Sequence, residues 1–167
     1  YLEELGLYLR LESFALTGNI RNKSNDAVVA ADHVKDIMRS FFAKRVKDCP
    51  PVIHAPESLE RLSRHADIVI LTNLSSTLRT EREDAMASHG MPYPVISNEG
   101  LKGAAVEHLI KGHRKPVFFL DDLPPNITSV AECTPQVHRI HFIADERLRP
   151  LLGPAHDAHK RIDCWLE

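Results

Sequence analysis

The sequence predicts an α/β fold, a Rossmann-like parallel sheet with helices on both faces and a small, mainly helical region ahead of it. Three observations predict this. Short apolar runs that fit buried strands alternate with helical segments of about ten residues, which implies crossover connections and parallel pairing. Val117-Phe118-Phe119-Leu120 is one such run and fits a strand covered on both faces. Cys49-Pro50-Pro51 breaks the chain and sets the alternating part, residues 51–167, apart from a small region over residues 1–50.

Composition narrows the possibilities. The 167 residues are 43% apolar, enough for one domain with a core. With 21 basic and 23 acidic side chains the net charge is −2, so no basic excess points to nucleic acid. No apolar run approaches the roughly 20 residues of a membrane span. The sequence carries no signal-peptide pattern. Cys49, Cys133 and Cys164 are few and far apart, which argues against a disulfide framework and fits a reducing cytoplasm. Cys133 reads as a helix packing residue.

In order, Leu7, Leu9 and Leu11 alternate with polar residues at strand period, and Thr17-Gly18-Asn19 ends that pattern. Residues 26–47 read as a helix, capped by Asp26, with Val34, Ile37, Met38, Phe41 and Phe42 on one apolar face. Pro56 suits the first turn of a short helix carrying Leu59 and Leu62. Residues 68–71 read as a buried strand, and 77–89 as a helix ended by Gly90. A short strand over 94–97 precedes a helix over 103–111 with Val106, Leu109 and Ile110 inward. After the strand 117–120 come a helix over 126–133, a strand over 137–143 and a short helix over 146–152. The polar tail is expected to pack Trp165 back on the core.

In open parallel sheets ligands bind beyond the carboxyl ends of the strands. The first strand ends in Thr72-Asn73, the next leads through Asn98 to Lys102 at a helix start, and the third ends in Asp121-Asp122. A hydroxyl, an amide, a lysine and two carboxylates therefore converge on one rim. Thr72 can donate to a phosphate oxygen, with Asn73 beside it. Lys102 adds positive charge at a helix N-terminus, which itself favours anions. Adjacent carboxylates supply the hard oxygen donors that suit magnesium. Each feature also has an ordinary structural reading: Thr72 and Asp122 as caps, Lys102 as a solvated side chain, Asn126 as an N-cap.

These three strand ends, in this order and spacing, resemble the second, third and fourth motifs of the haloacid dehalogenase-like (HAD) hydrolases. The resemblance covers residues 51 to about 145, and the chain as a whole is similar to a bacterial branch of that superfamily. It implies a magnesium-dependent phosphatase of a small phosphorylated metabolite, working through an aspartyl-phosphate. Thr72, Asn73 and Lys102 would hold the phosphoryl group, with Thr72 and Lys102 catalytic. Asp121 and Asp122 would bind Mg2+, and Asn126 would orient those carboxylates. On this reading Asp121→Asn or Lys102→Ala costs activity with little effect on folding.

The first motif of that superfamily, a central strand ending in Asp-x-Asp, is absent from the sequence. Two expectations follow. In one, a strand carrying the nucleophile precedes Tyr1, and residues 1–50 are a cap inserted after it. In the other, residues 11–17 are a degenerate first motif, with Leu11 and Ser13 where the Asp residues belong, and the protein binds a phosphorylated ligand or a partner without catalysis. Without the central strand, two buried strands face each other unpaired, at about 1–3 kcal/mol per unsatisfied group.

Ten histidines remain. His138 and His141 lie three apart on a strand and point to opposite faces. His156 and His159 would form a zinc pair only if the tail were helical; a solvated tail is the simpler reading.

Overall fold

A computed structural model describes residues 1–167. The chain is mixed α/β, with parallel pairing in its second part. The helices are α1 (Ala31–Arg45), α2 (Ala55–Ser63), α3 (Arg79–Ser88), α4 (Gly103–Leu109) and α5 (Pro124–Cys133). The strands are β1 (Leu7–Leu9), β2 (Ile20–Asn22), β3 (Ile70–Thr72), β4 (Val95–Ser97), β5 (Phe118–Asp121), β6 (His138–Phe142) and β7 (Lys160–Ile162).

The parallel strands fall into two small sheets. β3 pairs in parallel with β4, β5 and β7 pair in parallel with the two sides of β6, and no backbone ladder joins β3 to β5. β3, β4, β5 and β6 have the predicted locations, but two of them were expected to be covered on both faces and are not. Val69 ahead of β3 is 45% exposed and Phe118 in β5 is 61% exposed. A strand with one neighbour and one packed face buries only alternate side chains, as the pattern of β5 shows. Phe118 instead stacks on exposed His138, with ring centroids 5.1 Å apart.

The core divides likewise. Val106, Phe119, Ile127, Val130, Val137 and Ala155 form one cluster beneath α4 and α5. Ala55, Leu59, Met86, Met91 and Val95 form a second beneath α2 and α3. β3 touches both, because strand alternation sends Leu71 to the first and Ile70 to the second. Trp165 packs on the second cluster and against Phe142 of β6, so the tail does fold back on the core as expected. The strand β7 just before it was not expected.

Residues 1–50 open with an antiparallel hairpin, β1 with β2, rather than helix alone. Leu7 and Ile20 pack there on Val34 and Ile37 of α1. α1 begins five residues later than expected. Asp26 does not cap it; it lies at φ +58° and accepts a hydrogen bond from Tyr8. Residues 11–17 form bends and a turn between β1 and β2, so they are not a degenerate first strand. Phe41 and Phe42 are only half-buried and pack edge-on to each other. Leu109 and Cys133, expected inside, are exposed. Both sit at helix C-termini on the side turned away from the core, while the next residues, Ile110 and Thr134, are packed or buried. Only a 3-10 turn, Arg149–Leu151, forms in the segment expected to be a short helix. No helix is long and apolar enough to cross a membrane.

Two glycines shape the approach to the strand ends. Gly100 adopts φ +78°, which lets the chain turn from β4 toward Lys102. Gly103 sits where α4 meets α5, and a Cβ there would lie 2.3 Å from the Ser129 carbonyl oxygen. Gly103→Ala is therefore expected to cost about 1–3 kcal/mol through overpacking. A denaturation midpoint unchanged from wild type would show that α4 can retreat from α5 freely.

The loop after β6 carries a bidentate ion pair, Arg147 on both oxygens of Asp145 at 3.0 and 2.6 Å. The Arg147 guanidinium holds the Asp145 carboxyl at about 2. A carboxylate whose folded pKa is depressed stabilises above its unfolded value, near 3.9, and that contribution fades as pH falls toward 2. Thermal melts across this window should fall more steeply for wild type than for Arg147→Met. Parallel curves would mean that the pair adds nothing.

Candidate functional site

The rim at the carboxyl ends of β3, β4 and β5 is assembled around Asp121. Its side chain is 3% exposed. One oxygen, Oδ1, accepts from the Leu123 backbone N–H and from Asn126 Nδ2, both at 2.9 Å. The other, Oδ2, accepts from Lys102 Nζ at 2.6 Å. A buried carboxylate is costly unless compensated, and here a cation and two N–H donors compensate it. Lys102 is 14% exposed at its side chain and sits just before α4. Asn126 lies inside the first turn of α5, behind Leu123 and two prolines, so it is not the helix cap.

Thr72 and Asn73 reach this cluster through a loop rather than by direct contact. The Asn98 backbone N–H donates to the Thr72 carbonyl at 2.8 Å. Asn73 Nδ2 donates to the Gly100 carbonyl at 2.9 Å, and Asn98 Nδ2 donates to Asn73 Oδ1 at 2.8 Å. The exposed Asn73 side chain thus clamps the loop that leads to Lys102, two residues after Gly100. Thr72 Oγ1 accepts from Leu74 N–H at 3.3 Å, which leaves its own proton free to donate.

The helix N-terminus contributes less than expected. α4 is seven residues long, and its first N–H, that of Gly103, donates to Ser129 Oγ at 3.1 Å. Positive charge at the rim therefore comes from the Lys102 ammonium itself. Its three donors are not all spent, since Asp121 takes one.

Asp122 is the free carboxylate of the pair. It forms no salt bridge, and water reaches it at the rim. Even so, protein crowds it from the other sides, and this burial raises its pKa, with the negative charge of Asp121 adding to the rise. Water contact and desolvation coexist because the carboxyl stands in a recess. Its backbone carbonyl is held by His141, a residue the sequence reading considered only as a metal ligand. His141 is fully buried: Nδ1 accepts from Ala155 N–H at 3.1 Å, so Nε2 bears the proton and donates to the Asp122 carbonyl at 3.0 Å. The alternating burial of β6 puts His141 inward and His138 outward, on opposite faces as expected. His156 is exposed in a non-helical tail, and His159 Nδ1 accepts from Arg139 N–H at 3.0 Å, so the two do not form a helical ligand pair.

No three His, Cys, Asp or Glu side chains gather around one point. Magnesium is commonly held by one or two carboxylates, with substrate phosphate and water supplying the other oxygens. The residues present fit that mode through Asp122. They do not form a cage, because Asp121 is already engaged by three donors.

Comparison with family models, with curated proteins and with solved structures gave no match.

The expectation that Asp121→Asn or Lys102→Ala has little effect on folding does not fit this geometry. Removing one partner of a buried pair leaves the other charge uncompensated. Asp121→Asn is expected to lower stability by about 3–5 kcal/mol. A loss below about 1 kcal/mol, the size of an exposed pair, would show that water already screens the contact.

Proposed function

We propose that this rim binds a phosphoryl group together with magnesium, as part of a HAD-like phosphatase of small phosphorylated metabolites. On this proposal β4-β3 and β5-β6-β7 are the two halves of one three-layer α/β/α sheet, and the Asp nucleophile and its strand are not among these residues. The observation that carries it is the Lys102–Asp121 contact at 2.6 Å, tied through the Asn98–Gly100 loop to Thr72. A buried carboxylate that positions a lysine, on a rim that also carries the hydroxyl of Thr72 and the unpaired carboxylate of Asp122, is an arrangement suited to a phosphate and a divalent cation.

Thr72 donates its hydroxyl proton to one phosphoryl oxygen. Lys102 donates its unspent N–H groups to another, held in place by Asp121. Asn126 and the Leu123 N–H keep Asp121 from turning toward solvent. Asp122 is the carboxylate open to the metal. Magnesium, when bound, supplies charge that stabilises the negative phosphoryl oxygens. Phosphoryl transfer depends chiefly on such positioning and charge stabilisation.

The absence of Asp-x-Asp favours a second reading, in which the protein binds a phosphorylated ligand or partner and does not turn it over. Calorimetry with inorganic phosphate and Mg2+, beside hydrolysis of p-nitrophenyl phosphate, separates the two. Binding without turnover supports the second reading. In either case Thr72→Val is expected to weaken phosphate binding roughly tenfold, the size of one hydrogen bond to a charged group. Asp122→Asn is expected to abolish the magnesium dependence. Absence of phosphate binding with and without Mg2+ would remove the proposal.

A further inference from the structure

Beside Asp122 lies a recess of about 360 Å³, formed where the loop between β1 and β2 stands over the ends of β5 and β6. Its apolar walls are Leu9, Leu11, Phe14 and Leu16 from the N-terminal hairpin, with Leu123 and Leu148 opposite. The remaining lining residues are Asp122, Asp145 and Arg147. Asp145 and Arg147 neutralise each other through their bidentate pair. The one charged group left without an ion-pair partner in the recess is thus Asp122, at the candidate phosphate rim.

We propose that this recess takes the organic portion of a phosphate monoester, and that this portion is an alkyl or aryl group rather than a sugar or nucleoside. The proposal rests on the phosphate-binding reading above and names its substrate class. Ligand pockets of about 300–1,000 Å³ hold small molecules, so the volume admits a single ring or a short chain. Six apolar side chains offer no hydrogen-bonding groups to the several hydroxyls of a sugar. Burying hydroxyls against such walls forfeits their bonds to water. An alkyl or aryl group loses nothing by the same transfer and covers Leu16 and Leu123, both of which are exposed. The recess opens beside the carboxylate proposed to meet the metal, so one ligand can place its phosphate at the rim and its apolar end between the hairpin loop and Leu148.

The test is calorimetry on the full chain with Mg2+, using inorganic phosphate, glucose 6-phosphate and a series from ethyl to hexyl phosphate. Affinity is expected to rise by roughly fourfold per methylene buried, with glucose 6-phosphate no tighter than ethyl phosphate. Leu16→Asn lies in an exposed bend and should flatten the series while leaving inorganic phosphate unchanged. Inorganic phosphate binding with no dependence on chain length overturns this proposal alone. So does a preference for glucose 6-phosphate over hexyl phosphate. No binding of inorganic phosphate or of any ester overturns the phosphate reading, and this proposal with it.

Discussion

A single buried carboxylate organises the functional end of this molecule. Asp121 terminates β5 where water is nearly excluded, and its charge must be answered locally. Three donors answer it, each from a different place: Lys102 ahead of α4, Asn126 within α5, and the backbone of Leu123 between β5 and α5. One electrostatic requirement thereby fixes the relation of a strand to two helices. The close seating of Gly103 on Ser129 meets the same requirement sterically, because it brings the start of α4 near enough for Lys102 to reach. Behind them, buried His141 secures the backbone of Asp122 from the neighbouring strand. Asp122 differs from Asp121 because its side chain forms no salt bridge and stays open to water. Two adjacent identical residues thus play a structural part and an open part.

Much of this was legible in the sequence, for physical reasons. The run Val117–Leu120 followed by two acids marks a strand end, since apolar side chains must be buried and charges must be met. Helix starts at Pro56 and Gly103 are local events, and Gly90 ends α3 as read, whereas α5 begins at Pro124, two residues ahead of the expected Asn126. The grouping of Lys102 with Asp121 followed from strand order alone. Hydrogen-bond roles were not legible. Asn73 holds a loop together, and no spacing rule distinguishes that from contacting a ligand. Asp26 resembles a helix cap in sequence but serves a tertiary contact with Tyr8.

Strand neighbours were the least legible feature, because pairing depends on residues far away in the chain. A four-residue apolar run looks the same whether one face is covered or two. Phe118 turned out to be outside because alternation along β5 points it to the face opposite buried Phe119. β7 was missed because Lys160-Arg161-Ile162 has one apolar residue, too few for a periodic signal; its place is set by pairing with β6. The hairpin loop over residues 11–17 shows the same limit from the other direction. Leu11 and Ser13 stood where a degenerate first motif would place its Asp residues, but the segment is a bend whose Leu11, Phe14 and Leu16 line a recess.

The divided sheet bears on how the protein behaves at high concentration. A strand bonded on one side only presents a row of amide and carbonyl groups that can template another chain. β3 and β5 are both of this kind and both carry apolar side chains, as Ile70, Leu71, Phe119 and Leu120 show. With formal charge of only −2, long-range repulsion between copies is weak. In this molecule self-association is therefore expected to start from backbone geometry, at the open edges of β3 and β5, rather than from exposed side chains.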